Sequence, residues 1–388
     1  EWPLRPSYGG SEERMEEARK LKGHKGSTTC CIASQKRPGV IATAAENGCV
    51  CWFDLRCKDA IFTMYIGNGH PVSSICFNPG NEDIFYVSSG SEVKCFDVHM
   101  VTASKLLNSY NYNKDEINQI VCNSKSLFLA AADDSGDVKV IDIRQNRIYK
   151  TLRDGHTSIC SSVQFIPWRP WEVITGGLDS KVVLWDFSKG QPQKIWDFGT
   201  LDSGKKGNVG QCLNPAFVHA LAVPEVDVVD KFVKICAVAR GDGVVSVMNV
   251  ESQLNTVKSK GSAKPKKGSK SAPKVGGSST DPETGNQNGG DLHLDHSLRG
   301  HTAAVSCVTF STFGDKGKFI ISGGNDKQVK VWDWSKFFMA GETSSDTNFL
   351  CSSLSLSRKV NWLCTTPTDS ENLVVCDTSK VVKVYNIG

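Results

Sequence analysis

The stretch "VITGGLDSKVVLWD", residues 173–186, decides the fold of this chain. An apolar run meets a turn of Gly, Asp and Ser. The half that follows, "KVVLWD", alternates with the period of two expected of a strand and ends on Trp185-Asp186. Just upstream, "GHTSICSSVQF", residues 155–165, opens on Gly155-His156 and runs into a further apolar segment.

The same order of features returns along the chain. "GHTAAVSCVTF", residues 300–310, precedes "FIISGGNDKQVKVWD", residues 319–333. Weaker copies end on Asp54 ("VIATAAENGCVCWFD"), Asp97 ("FYVSSGSEVKCFD") and Asp142 ("LAAADDSGDVKVID"). Their openings hold Gly23-His24, Gly69-His70 and Asp115-Glu116. His24, His70, Glu116 and His156 stand 46, 46 and 40 residues apart. Gly-His early and Trp-Asp late in a unit of about 40–45 residues marks a four-stranded propeller blade. On these residues the chain resembles the WD-repeat β-propellers. Residues 216–250 and 358–388 read as two degenerate copies, which makes seven blades in an all-β fold. The resemblance implies that "ARKLKGH", residues 18–24, supplies the outer strand of the last blade. Such closure removes exposed sheet edges. The propeller is expected over 18–388, with 1–17 as a disordered extension. Nothing in the pattern calls for a second copy, and a monomer is expected.

Composition narrows the class of protein. The chain of 388 residues is 39% hydrophobic and 22% charged, an ordinary globular balance. No run of about 18 apolar residues offers a membrane span. The first residues lack the apolar core of a secretory signal. The chain opens on Glu1 rather than Met, which leaves the completeness of the native N-terminus open. Fifteen cysteines include no Cys-x-x-Cys pair, so no metal site is expected. Their odd number points to reduced thiols inside a cell, in the nucleus, the cytoplasm or both. Cys30, Cys76, Cys122, Cys307 and Cys364 recur at one position of successive blades. There they are expected to act as small hydrophobes between blades.

Two constellations look catalytic: His156, Thr175, Asp179 and Trp185, and then His301, Ser322, Asp326 and Trp332. In WD-repeat proteins such a set forms a buried chain from indole through hydroxyl and imidazole to carboxylate. The resemblance therefore implies a structural role. No phosphate-binding glycine loop and no Gly-x-Ser-x-Gly elbow stands out. The chain reads as non-enzymatic, with no cofactor. Blade one keeps His24 and Thr43 but has Asn47 and Phe53, so its chain must be incomplete.

Residues 251–290 are rich in Lys, Gly, Ser and Pro and nearly free of large apolar side chains. Such a segment buries too little to offset its ordering entropy, and a disordered loop in blade five is expected. Six lysines between 258 and 270 give it a basic centre. A solvated loop is the first reading and nuclear import the second. No aromatic side chain lies among the lysines, so base stacking and nucleic acid are not expected.

Two third strands end in Asp-x-Arg: Asp54 with Arg56, and Asp142 with Arg144. The blade between ends on His99, so blades one to three present basic groups at one rim. These endings resemble the docking box of WD-repeat substrate receptors of cullin-4 ubiquitin ligases, with Phe53 and Ile141 where that box has Trp. The resemblance implies docking on the ligase's damaged-DNA-binding-protein-1 adaptor, with an unknown substrate held elsewhere. An arginine fork suits bidentate recognition and recurs at interfaces. Solvated surface is the alternative. In "IPWRPWE", residues 166–172, Trp168 and Trp171 flank Arg169 and form either an exposed patch on that rim or part of the blade's packing. A chromatin or histone-tail module, using the top mouth of the propeller, is the alternative function.

Overall fold

Every unit of the repeat is a four-stranded antiparallel sheet, and the computed structural model places seven of them in sequence. It describes residues 18–66, 69–99, 104–201, 212–225, 234–251, 291–339 and 348–387. The expected extension 1–17 and all of the basic segment beyond Glu251 lie outside the described residues. Blade four shows the plan: Cys160–Phe165 innermost, then Glu172–Gly177, Lys181–Asp186 and Gln191–Asp197 outermost. Blade five keeps its third strand at Val245–Asn249 and its outer strand at Leu292–Leu294. In chain order, the basic segment therefore falls between those two strands.

The seventh sheet joins the first and last strands among the described residues. Arg19–Lys22 lies antiparallel to Val381–Tyr385, with Arg19 opposite Val384. Leu21 points inward and is 1% exposed. Arg19 also grips Glu371 with two contacts of 2.7 and 2.8 Å.

Two irregularities recur at fixed places. Each inner strand slips register after its first residue, as between Cys160 and Ser162 and between Val305 and Cys307. In blades one, two, three, four and six, the third strand slips just before the residue at the Trp position, as at Leu184/Trp185. Bulges of this kind sharpen twist and re-aim side chains. Here the side chain at the Trp position packs in the seam with the preceding blade, as Trp185 does against Phe128 and Val140.

Apolar faces of neighbouring blades meet in separate clusters, and the inner strands are stitched by polar side chains. Gln119 accepts from the Ser162 hydroxyl at 2.7 Å and from Val163 N–H at 2.8 Å. Ser162 in turn accepts from Leu221 N–H at 2.9 Å. Thr28 of blade one reaches back instead, donating to Asp377 O of blade seven at 3.0 Å, so buried polar groups of the inner ring find partners across the seams. The cysteines expected at one position do not share it: Cys30 and Cys307 stand third in their inner strands, Cys76 and Cys364 fifth and Cys122 sixth, and only Cys30, Cys122 and Cys307 are buried.

Candidate partner-binding rim

Loops from inner to second strand and from third to outer strand leave each blade at the same end. That end is the rim that carries both Asp-x-Arg endings. Its local structure follows from the aspartate that closes the third strand. Asp54 accepts the N–H of Arg56 at 2.9 Å, Asp97 that of His99 at 2.9 Å, and Asp186 that of Ser188 at 3.1 Å. Asp142 instead accepts Gln145 N–H at 2.9 Å. The aspartate is thus the cap of an Asx-type turn, which explains why it persists where the preceding Trp is lost. The residue two positions on is aimed outward.

The three basic side chains differ in what they touch. Arg56 folds back so that Nε lies 2.9 and 3.1 Å from the two carboxylate oxygens of Asp54, with a terminal nitrogen 2.5 Å from Oδ2. The guanidinium holds the Asp54 carboxyl below its usual range, and the carboxylate raises Arg56 in return. His99 Nδ1 lies 3.0 Å from Asp83 Oδ2. Arg37, which the sequence reading missed, sits 3.1 Å from the other oxygen of Asp83 and donates to Glu82 O. One carboxylate of blade two therefore gathers a base from its own blade and one from blade one. Arg144 is exposed, with no hydrogen bond or ion pair among the described residues.

The Trp-Arg-Pro-Trp loop divides. Arg169 is committed to Glu172 at 2.9 and 3.1 Å and lies 3.6 Å from Glu251. Trp168 packs against the core between blades four and five. Trp171 is 46% exposed and stacks on Tyr149 of blade three, 6.2 Å between ring centres. Its other neighbours are Phe128 and Phe187. The two tryptophans lie at different seams: Trp171 is the more exposed, at that of blades three and four, and Trp168 is half-buried at that of blades four and five.

The sets that resembled catalytic machinery are interior. Trp185 Nε1 donates to Thr175 at 2.9 Å, Thr175 lies 2.8 Å from His156 Nε2, and His156 Nδ1 lies 3.0 Å from Asp179. In blade six, Trp332 Nε1 donates to Ser322 at 2.9 Å, and His301 spans Ser322 at 2.9 Å and Asp326 at 3.0 Å. Both imidazoles are wholly shielded from solvent, so no substrate reaches them. Burial drives His301 below the ordinary histidine value against the pull of Asp326. Burial alone would raise Asp179 and Asp326, but hydrogen bonds from the histidine and from backbone N–H groups leave both below their usual range.

Blade one departs from this plan. His24 Nε2 lies 2.7 Å from Thr43 Oγ1, yet its Nδ1 faces Cys51 Sγ at 3.7 Å, and Cys49 Sγ lies 3.6 Å beyond. These three are the one group of His, Cys, Asp and Glu among the described residues with metal-ligand spacing. Cys51 is drawn down to about 5, chiefly by its contact with Cys49 and further by His24, against the effect of burial. Cys49 moves up for the same mutual reason. The only sequence signal was Cys-x-Cys within a strand, which puts both thiols on one face.

Comparison with known proteins agrees with this architecture. The family described as WD domain, G-beta repeat matches residues 146–186 and 293–333, which lie in blades three to four and five to six. A WD repeat-containing protein 53 homolog of Dictyostelium discoideum is 26% identical over 397 residues, covering 95% of this chain and 94% of the relative. The GATOR2 complex protein WDR24 of Danio rerio is 27% identical over 210 residues, half of this chain and 26% of that protein. A cell division cycle 20.4, cofactor of APC complex, from Arabidopsis thaliana is 29% identical over 104 residues, 27% of this chain and 22% of that protein. No helix among the described residues is long and apolar enough to cross a membrane. The chain is a seven-bladed WD-repeat β-propeller and a non-catalytic protein-interaction scaffold, related at low identity over most of its length to WD repeat-containing protein 53-like proteins.

Proposed function

We propose that this scaffold is a substrate receptor that docks, by the rim of blades one to three, on the adaptor of a cullin-4-type ubiquitin ligase. The observation that carries the proposal is Arg144: an exposed guanidinium with no partner among the described residues, projecting from a turn fixed by Asp142. Trp171 and Tyr149 at the adjoining seam add the aromatic surface that favours a buried contact. Arg56 supports docking in a different way. Its fork is held on Asp54 and must be exchanged for a partner's carboxylate or carbonyl groups. The guanidinium faces water, with its side chain 81% exposed, whereas Asp54 is mostly covered and keeps its contact with the Arg56 N–H when the fork swings away. Two of the similar proteins carry the word "complex" in their names, in keeping with a part in assemblies. Work in the nucleus, the cytoplasm or both belongs to the same proposal.

The test is affinity purification of Arg56→Ala, Arg144→Ala and the double variant from cells, with the adaptor quantified. Loss of adaptor from the double variant, with an unchanged unfolding midpoint, is the expected result. Undiminished adaptor in the double variant overturns the proposal. Co-purified histones in place of adaptor would favour the chromatin module.

A further inference from the structure

Blade one carries the histidine and hydroxyl of the internal chain but neither its indole nor its carboxylate. Phe53 stands at the position of Trp185, and Asn47 at that of Asp179. In blade four, the hydroxyl accepts the indole N–H, and the imidazole turns its Nδ1–H to the carboxylate. Without an indole, Thr43 is open to the His24 Nε2–H at 2.7 Å, and its own hydroxyl lies 3.4 Å from Cys51 O. His24 Nδ1 then presents a bare lone pair, and it presents it to sulfur.

We propose that His24 Nδ1, Cys49 Sγ and Cys51 Sγ form a binding site for a thiophilic d10 metal ion of the Zn2+ or Cu+ class. Their spacing suits one ion. A Zn–S bond of about 2.3 Å and a Zn–N bond of about 2.0–2.1 Å set tetrahedral S···S and S···N edges near about 3.8 and 3.6 Å. The observed values are 3.6 Å between the sulfurs and 3.7 Å from Cys51 to His24. Two thiolates and an imidazole are the soft donor set that selects these ions over Mg2+ or Ca2+. The second shell is already in place, since metal-bound histidines commonly donate their other ring N–H, here to Thr43. Gly23 completes the fit: a Cβ there would come within 3.2 Å of Cys51 Sγ and of Phe53. Binding releases the remaining thiol proton to solvent, and no redox step is involved.

The location gives the ion a task. The cluster lies in the seam between blades one and seven, with Leu21 of the closing strand in the same apolar group. His24 follows that strand by two residues. A bound ion clips the turn after the closing strand to the third strand of blade one, and so bolts the ring where its chain ends meet.

The full chain is stripped with chelator under reducing conditions, then loaded with Zn2+ or, anaerobically, with Cu+. Metal is counted after desalting, and the midpoint of thermal unfolding is read with and without each ion. One equivalent of one ion, a rise in midpoint, and an X-ray absorption spectrum with two sulfur neighbours and one imidazole are expected. Cys51→Val, which installs the residue blade four carries at this place (Val183), abolishes both retention and the rise. Cys49→Ser does the same by a separate route. Thr43→Val weakens binding by about 10- to 100-fold through the second shell. Cys307→Ser, at a buried cysteine in the seam of blades six and seven, changes nothing. A wild-type chain that retains neither ion, equal retention in the Cys51→Val and Cys49→Ser variants, or a spectrum without sulfur neighbours overturns the site.

Discussion

Blades four and one occupy the same frame with opposite chemistry. In blade four, His156 sits inside a hydrogen-bond chain in which donors and acceptors are matched from Trp185 to Asp179. In blade one, Phe53 and Asn47 break the chain at both ends, Asn47 Oδ1 is buried without a hydrogen-bond partner among the described residues, and His24 is grouped with two thiols. The frame needs something to fill the space between imidazole and third strand. It does not need that filling to be polar mortar. Where the mortar is complete, the histidine has no spare capacity; where it is not, a donor set is left over.

The sharpest way to break this comparison is to remove the central hydroxyl from each blade. Thr175→Val strands the Trp185 indole and the His156 nitrogen together. Each unpaired buried group costs about 1–3 kcal/mol, so roughly 2–6 kcal/mol is expected from denaturant unfolding. Thr43→Val strands only His24, and about 1–3 kcal/mol is expected. Equal losses would show that the two blades use the hydroxyl alike.

Repairing blade one gives the next effect. Phe53 is 0% exposed, so Phe53→Trp alone overpacks the seam and is expected to cost about 1–3 kcal/mol. Adding Asn47→Asp gives His24 the carboxylate that His156 has, and part of that loss should return. The same double variant should no longer bind metal, because Nδ1 would carry a proton. Recovery of stability with metal retained would separate the two halves of the comparison.

What the sequence conveyed and what it did not follow from the range of the interactions. Blade number and the two His–Asp chains are written in spacings that repeat, and repetition survives the loss of individual residues; closure by residues 18–24 was implied only by the family resemblance. The tie of Arg37 and His99 to Asp83 joins two blades and is not repeated among the described residues, so no spacing announces it. The cysteine pair was hidden differently. Cys49 and Cys51 read as two more small apolar residues until the turn holding His24 is brought over them. The turn-capping role of Asp54, Asp97 and Asp186 was legible in principle, because the aspartate outlasts the tryptophan before it.

Acid offers a smaller probe of the same contrast. His301 is held below the usual histidine value by burial, so the unfolded chain binds its proton at higher pH than the folded one. The linked stability is complete above the unfolded value of about 6.5 and is lost as pH falls from there toward the folded value. Asp179 and Asp326, both depressed, add a second loss only below their unfolded value near 3.8. A fall in unfolding midpoint between pH 7 and pH 5 is therefore expected in the parent chain. His301→Gln removes that titration and should flatten the fall, at the cost of a lower midpoint throughout. An unchanged slope would place the acid sensitivity elsewhere.

The smallest effect on the fold, and the most telling for partners, belongs to the rim. Neither arginine holds the blades together, so Arg56→Ala and Arg144→Ala should leave the unfolding midpoint where it is. They should not be equal in docking. Arg144 has its full fork to offer, and as an interface anchor its loss is expected to weaken adaptor capture by about tenfold or more. Arg56 must first leave Asp54, so part of what a partner supplies replaces a contact already present. Arg56→Ala should cost less than Arg144→Ala, and Asp54→Asn, which keeps a turn-capping oxygen while removing the charge that detains Arg56, should cost less still or improve capture. If Asp54→Asn instead weakened capture as much as Arg144→Ala, the carboxylate itself would be the contact, and the pair would act as one polar unit rather than as a tethered guanidinium.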